Sequence, residues 1–557
     1  MSTTAAPLRL PRPRRALDPL WAVLAGLLLA LAWQPYGVWP LLLVGVPALT
    51  LLVRGLRPRR AFGLGYLFGA AMLAVTVGWV HVLGVWVAGL LVAFESLFFG
   101  VVGVALMLVS RLRWWPVPAA ACWVAVELAY GRVPFGGFGW TRLAYAAVDT
   151  PLAGFFPVLG VAGVTFAVAL LGQLLAWTLL RLHATRRAAP RPARRAGRVV
   201  LPAVAAALAL VVLGTALRSF QVEPLAGTAG TVAVGVVQGN VPGRGIEALG
   251  RARSVTNNHL SESVDLISRA RLGQVPMPDF LLWPENSTDI DPLIDPITQV
   301  TVAGAAAVVG VPMLVGAVTE GPGPDERQTT AMWWDPQRGV LATYHKQNLV
   351  PFGEWIPFRK QLLPLVPILR EVGAQSVPGT KPGVLDVQAG GRPLKVGDVI
   401  CFELAYDRTV HAAVKAGAQV LVVQSNNATY GGTGQIEQQF AITRARAMEA
   451  RREIAVATTN SVSGLIDRDG RVVRRTDEFT AAGFVASLPL RSALTPALVV
   501  GPGLEAALAL LALAGAAAGV AVGARGRRRS GESGRRLEPD PDLRENEGSF
   551  PTRETVR

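Results

Sequence analysis

The chain has 557 residues, 51% of them hydrophobic, and a mean hydropathy of +0.39, too apolar for a soluble protein of this size, so a large part is expected inside a membrane. The formal net charge is +16, but the arginines fall in short runs beside apolar segments and not along one amphipathic face, which speaks against a nucleic-acid surface and for membrane orientation. With two cysteines, one of them (Cys122) inside an apolar segment, neither a disulfide framework nor a Cys-rich metal centre is expected.

Residues 1–18 form a basic start carrying Arg9, Arg12, Arg14 and Arg15. Apolar segments follow at 20–33, 38–53, 62–80, 83–109, 116–130, 152–180 and 199–217, each of spanning or near-spanning length against the roughly 20 residues a bilayer needs. The first has no small-residue cleavage site and reads as a retained anchor. Residues 19–217 are therefore expected to form a membrane domain of about seven helices.

Orientation follows from the loops, because cytoplasmic flanks carry the excess of Lys and Arg. The stretch RLHATRRAAPRPARRAGR (181–198) holds seven arginines, whereas RSFQVEPLAGTAG (218–230) holds one. The seventh segment thus exits away from the cytoplasm. RGLRPRR (54–60) and RLR (111–113) fall where an inside-start model puts cytoplasmic loops. An eighth apolar segment, 498–523, leads into a charged tail, 524–557, expected to be cytoplasmic and disordered.

Between them, residues 218–497 change character. Short β-rich runs alternate with helical patterns: TVAVGVVQ (231–238), a helix at 247–272, DFLLWPE (279–285), a helix at 295–308, MLVGAVT (313–319), TTAMWW (329–334) and GVLATYHK (339–346). After a long loop to 393 come KVGDVIC, a helix at 405–416, QVLVVQSN (419–426), a helix at 435–452, IAVATTN (454–460) and a closing hairpin turning at Asp469-Gly470. This is the pattern of an α/β domain with a buried sheet, facing the extracytoplasmic side.

Three polar residues close strand-like runs: Glu285, Lys346 and Cys401. A cysteine ending a buried strand is more often a small core residue than a nucleophile, and a lone strand-end Glu or Lys is more often solvated. Together they supply one chemistry. A thiol near pKa 8.5 needs a base to take its proton and a cation to favour the anion, and a carboxylate and a lysine fill those roles.

WPEN (283–286), YHKQNLVPFGEWIP (344–357), ICFE (400–403), SNNATYG and RARAMEARR resemble the nitrilase, or carbon-nitrogen hydrolase, superfamily. With apolar segments on both sides, the chain resembles the membrane-embedded branch of that superfamily, the apolipoprotein N-acyltransferases. The resemblance implies an αββα sandwich with a catalytic triad of Glu285, Lys346 and Cys401, with Glu354 orienting the lysine or the substrate and Glu403 supporting the site. It implies two-step acyl transfer from a phospholipid donor, through a cysteine thioester, to the α-amine of a diacylglyceryl apolipoprotein at the bacterial plasma membrane. Nothing in the sequence requires a cofactor, the five histidines show no ligand spacing, so no metal is expected, and a monomer is the default expectation. The chain departs from the family pattern at Phe402, where tyrosine is usual, at Thr429 and Tyr430, and after Asn240, where a tryptophan is common.

The competing reading is a membrane-anchored amidohydrolase using the same triad with water as acceptor; so many spans favour lipid substrates over it. The apolar stretch 355–370 is either a loop packed within the domain or an arm at the membrane surface over the site. Glu95 and Glu127, inside apolar segments, are either functional groups or partners of an arginine.

Overall fold

The computed structural model describes residues 15–187, 193–224, 229–241 and 253–535. Most of the basic start, part of the arginine-rich stretch 181–198, the segment following Asn240 and the tail beyond 535 lie outside the described residues.

The apolar segments form helices α1 (Asp18–Ala30), α2 (Leu42–Val53), α3 (Pro58–Thr76), α4 (Val85–Val109), α5 (Pro116–Tyr130), α6 (Phe156–Arg187) and α7 (Ala193–Leu217). Small residues let them pack closely: a Cβ on Gly103 of α4 would lie 2.4 Å from the Ala61 carbonyl oxygen of α3. Helix α6 is bent at Gly160, whose φ of +68° is left-handed, so the segment expected as one span from 152 begins as a 3-10 helix over Pro151–Phe155, continues as α-helix from 156 and is kinked. Among the described residues, four helices are long and apolar enough to cross a membrane by length and composition: α4, α6, α7 and the C-terminal helix.

The α/β domain stacks two sheets. Strands β1 (Thr231–Gln238), β2 (Phe280–Leu282), β3 (Met313–Glu320), β4 (Glu326–Asp335) and β5 (Gly339–His345) build the first, with helices α8 (Ser254–Arg271) and α9 (Pro296–Val309) on its outer face. Helix α9 starts where the Asp295 carboxylate accepts from Thr298 N at 2.8 Å and stops at Gly310, left-handed at +76°. A short helix α10 (Arg359–Leu362) and strand β6 (Gln375–Ser376) lie on the way to the second sheet.

That second sheet comprises β7 (Val384–Ala389), β8 (Arg392–Ile400), β9 (Val420–Ser425), β10 (Ile454–Thr458), β11 (Gly464–Ile466) and β12 (Val472–Arg475). Helices α11 (Asp407–Lys415) and α12 (Gly434–Ala450) cover its outer face, and Val234, Val236, Leu282, Val396, Val422 and Ala455 fill the space between the sheets. The layers are thus α, β, β, α, as expected.

Three expectations are corrected. The supposed loop before 393 contains β7, which pairs antiparallel with β8. The hairpin β11–β12 does not close the domain: β13 (Ala482–Pro489) returns to pair antiparallel with β1 at the edge of the first sheet. The helix expected from Ala405 starts at Asp407, after a tight 3-10 turn over Cys401–Ala405. The chain then enters α13 (Pro496–Arg535), which runs as helix past the boundary expected at 523.

The apolar core of the helix bundle is continuous with the α12 side of the domain. Helix α12 is buried on nearly every side although it carries Gln438, Arg446 and Glu449, because the bundle and the turn and helix after Cys401 together satisfy these polar groups. Gln438 donates to the carbonyls of Gln34 (2.9 Å) and Thr76 (2.8 Å) and accepts from the indoles of Trp79 (3.0 Å) and Trp140 (2.9 Å). Buried Arg142, between α5 and α6, ion-pairs with Glu127 of α5, Asp407 of α11 and Glu505 of α13. Of the two alternatives for Glu127, the structure shows the arginine contact; Glu95 is buried in α4 with no ion-pair partner among the described residues.

Candidate active site

Strands β1, β2 and β3 are parallel, and two antiparallel steps bring β5 back to the same direction, so β2 and β5 end on one edge of the first sheet. Glu285 lies three residues beyond β2 and Lys346 directly follows β5. Cys401 directly follows β8, in the facing sheet. All three polar groups therefore converge at strand ends, where α/β folds place their chemistry.

Lys346 Nζ donates to Glu285 Oε1 at 2.8 Å and to Glu354 Oε1 at 3.1 Å, and both carboxylates are buried or nearly so. The other Glu285 oxygen accepts from Asn426 N at 2.8 Å, just past β9, so Glu285 is held by both sheets. Glu354 accepts from Val350 N (2.8 Å) and the Thr329 hydroxyl (3.2 Å), which fixes the loop after the lysine.

Burial raises the pKa of Glu285; Lys346 opposes this, and the Glu354 charge adds to it. Burial works against the charge on Lys346, but Glu285 and Glu354 outweigh it and keep the ammonium well above its ordinary pKa. The Cys401 thiol is pushed up to about 12 by burial and by the Glu285 charge, against the pull of Lys346. At neutral pH the cysteine is thus a thiol beside a carboxylate of enhanced proton affinity, with a permanent cation within reach.

Cys401 itself has φ of +52°, a left-handed conformation unusual for a residue with a side chain, at the junction of β8 and the 3-10 turn. Its Sγ lies 3.8 Å from Asn427 Oδ1, which also accepts from the Ser425 hydroxyl at 3.1 Å. Glu403, two residues on, is fully buried. Its carboxylate accepts from Tyr344 OH (2.9 Å), Gln347 N (2.7 Å), Asn348 N (3.1 Å) and Ile400 N (3.0 Å). It ties the turn after the lysine to the strand that carries the cysteine.

Aromatic rings from the bundle form one wall. Phe402 stacks on Phe138 (5.7 Å) and Trp140 (6.0 Å), and Trp79 meets Tyr430 edge-on at 5.1 Å. Phe402 and Tyr430, two departures from the family pattern, are therefore packed against membrane-domain rings. The loop at 355–370 is partly docked: Phe135 of the bundle touches Phe352, Trp355 and Phe358 at 5.8–6.3 Å, while Leu365 stays 76% exposed.

Sequence reasoning missed Asp398, Gln438 and Arg142. Asp398 faces the space between the sheets, wholly buried, with neither carboxylate oxygen hydrogen-bonded among the described residues, and burial followed by the Glu403 and Glu285 charges holds it well above the usual carboxylate range. A carboxylate in an otherwise apolar strand, KVGDVIC, was the signal available for it.

A two-sheet sandwich with a strand-end Cys, Glu and Lys, joined to an apolar helix bundle, defines a carbon-nitrogen hydrolase-type domain carried on a membrane domain. Residues 301–493 match the carbon-nitrogen hydrolase family model, and residues 25–174 match that of the apolipoprotein N-acyltransferase N-terminal domain. The chain is 36% identical to the apolipoprotein N-acyltransferase of Mycolicibacterium smegmatis, over 88% of this chain and 83% of that one. It is 26% identical to that of Vibrio cholerae (86% and 93% covered) and 29% to that of Geobacter metallireducens (84% and 88%). The chain belongs to the apolipoprotein N-acyltransferase family. Among solved structures, an amidase from Nesterenkonia sp. AN1 is similar at 18% identity, covering 46% of this chain and 92% of that one, with a TM-score of 0.34, too low to bear on the assignment.

Proposed function

We propose that Cys401, Glu285 and Lys346 carry the N-acylation of apolipoproteins by a two-step, ping-pong route. Membership of the family makes the chain an acyltransferase of lipoprotein maturation. The observation that carries the mechanism is the buried Lys346, held between Glu285 and Glu354 beside a strand-end cysteine.

In the first step Glu285 takes the Cys401 proton as the sulfur attacks the ester carbonyl of a phospholipid. The tetrahedral oxyanion is met by Lys346, which has three N–H donors and spends two on Glu285 and Glu354, together with the backbone N–H of Phe402. The C–O bond then breaks, protonated Glu285 returns its proton to the leaving lysophospholipid alkoxide, and a thioester stays on Cys401. In the second step the α-amine of the diacylglyceryl cysteine attacks the thioester and gives its proton to Glu285. The C–S bond breaks and the thiolate regains that proton. Glu354 holds the lysine and Glu403 the two turns that bear lysine and cysteine.

We further read all eight apolar helices as spans, with the α/β domain on the extracytoplasmic side of a bacterial plasma membrane. Alternation of the loops supports this. Gln34, Thr76, Trp79 and Trp140 meet α12, whereas Arg54, Arg113 and Arg181 converge at the other end. Helix α1, with 13 residues, is about 20 Å long and needs its flanks to reach across a core of about 30 Å.

The purified chain, given phospholipid and a diacylglyceryl peptide, is expected to yield N-acyl peptide by mass spectrometry. Cys401→Ala and Glu285→Gln should each lower the yield by at least about 100-fold. Release of free fatty acid in place of N-acyl peptide would favour hydrolysis over transfer.

A further inference from the structure

The end of the bundle remote from the α/β domain holds a second, basic site. Arg54 at the end of α2, Arg113 before α5 and Arg181 in α6 line one cleft of about 260 Å³, including the part open to solvent. Its apolar walls are the Trp115 and Trp177 indoles with Leu112 and Leu180. Arg181 lies 4.9 Å from the Trp177 ring centre and Arg54 6.0 Å from that of Trp115, and both tryptophans are buried. Trp114 stacks on Trp177 at 5.9 Å and carries Arg113 at 5.9 Å.

Arg54 and Arg181 are close enough to repel one another. Among the described residues no carboxylate lies within ion-pair distance of Arg113 or Arg181, whereas Arg60 at the same end is paired with Asp18 at 2.8 Å. Three guanidinium groups from three separate segments, each beside an aromatic face, meet in this cleft, and those of Arg113 and Arg181 are like charges that an anion would relieve. Planar forks of N–H donors suit phosphate oxygens in particular. Free phosphate and a lipid headgroup share that chemistry, but exposed Trp114 and a position at the end of an apolar bundle favour the lipid.

We propose that this cleft binds the phosphate of an anionic phospholipid from the leaflet on that side, as basic pockets between transmembrane helices do. The site is separate from the acyl-donor site, which lies beside Cys401 at the opposite end of the bundle. The inference rests on reading these helices as spans and is independent of the acyl-transfer mechanism.

The test uses the full chain in nanodiscs of phosphatidylcholine containing a minor fraction of phosphatidylglycerol, with the lipids retained after extraction counted by native mass spectrometry. The wild type is expected to retain phosphatidylglycerol in preference. The double variant Arg113→Gln/Arg181→Gln should lose roughly 25-fold of that preference, at roughly 5-fold per charge. Arg113→Lys/Arg181→Lys, which keeps the charges, should retain most of it. Acylation of Cys401 in the same samples reports whether each variant is folded, and retention persisting without acylation would leave this inference standing while the mechanism fell. Equal retention by the folded double variant, or no preference in the wild type, would overturn the proposal. Displacement of the lipid by millimolar inorganic phosphate would overturn the lipid as its source.

Discussion

Lys346 is the residue on which the site's electrostatics turn, because one buried ammonium serves two carboxylates 2.8 and 3.1 Å away. Ionised Glu285 is the form that takes a proton, so the acylation rate should climb as pH rises through its pKa. Burial and the Glu354 charge raise that pKa, which puts the climb above the usual glutamate range, while the Cys401 thiol at about 12 stays out of the neutral range. Glu354→Gln removes one of the charges raising Glu285, so the climb should move to lower pH in a profile of single-turnover acylation. A climb that stays in place or moves up would contradict the proposed coupling. At this scale the sequence was informative about position: Glu285, Lys346 and Cys401 each close a β-rich run, and the fold brings those strand ends together. Asp398 was passed over because one carboxylate in a strand reads as a solvent-facing position until the second sheet is seen to cover it.

Helix α12 is the element that joins chemistry to membrane. Its Gln438 makes four hydrogen bonds to three different bundle loops, and two of the donors, Trp79 and Trp140, are rings that also pack on Tyr430 and Phe402 beside the cysteine. Gln438→Leu leaves two indole N–H groups and two carbonyls without partners, a loss of about 2–4 kcal/mol. The expected outcome is a lower unfolding temperature in detergent, and acylation by phospholipid that falls by more than acylation by a short water-soluble ester. Equal falls for both donors would mean that α12 positions the cysteine itself and not the wall. None of this could be read from the chain, since Gln438 and its partners are 298 to 404 residues apart. The missed strands have a local cause. Strand β7 alternates buried and exposed residues over only six positions among prolines and glycines, and β13 follows a hairpin that already looked terminal.

At the scale of the whole molecule, two kinds of loop separate. Those touching the α/β domain are aromatic, and those at the far end are rich in arginine, which is the asymmetry the positive-inside rule uses. The pairing of apolar helices with an α/β domain was legible because apolar length and β-rich runs are local signals; the joining of bundle and sandwich into one core was not, because it depends on buried polar pairs such as Arg142–Asp407. Sidedness is open to a direct check. In a Cys122→Ala/Cys401→Ala background reconstituted in one orientation, a membrane-impermeant maleimide added on the side of the α/β domain should label His81→Cys and spare Arg57→Cys, both at exposed positions. Labelling of both, or of Arg57→Cys alone, would reverse or break the topology.

In the proposed route the acyl chain passes through Cys401. Incubating the chain with phospholipid labelled in its acyl group, then quenching and mapping the label, tests it most directly. A thioester on Cys401 that forms without acceptor, and discharges to the α-amine when a diacylglyceryl peptide is added, is the predicted result. Label that forms equally in Cys401→Ala, or that reaches the peptide with no enzyme-bound intermediate on the wild type, would contradict it.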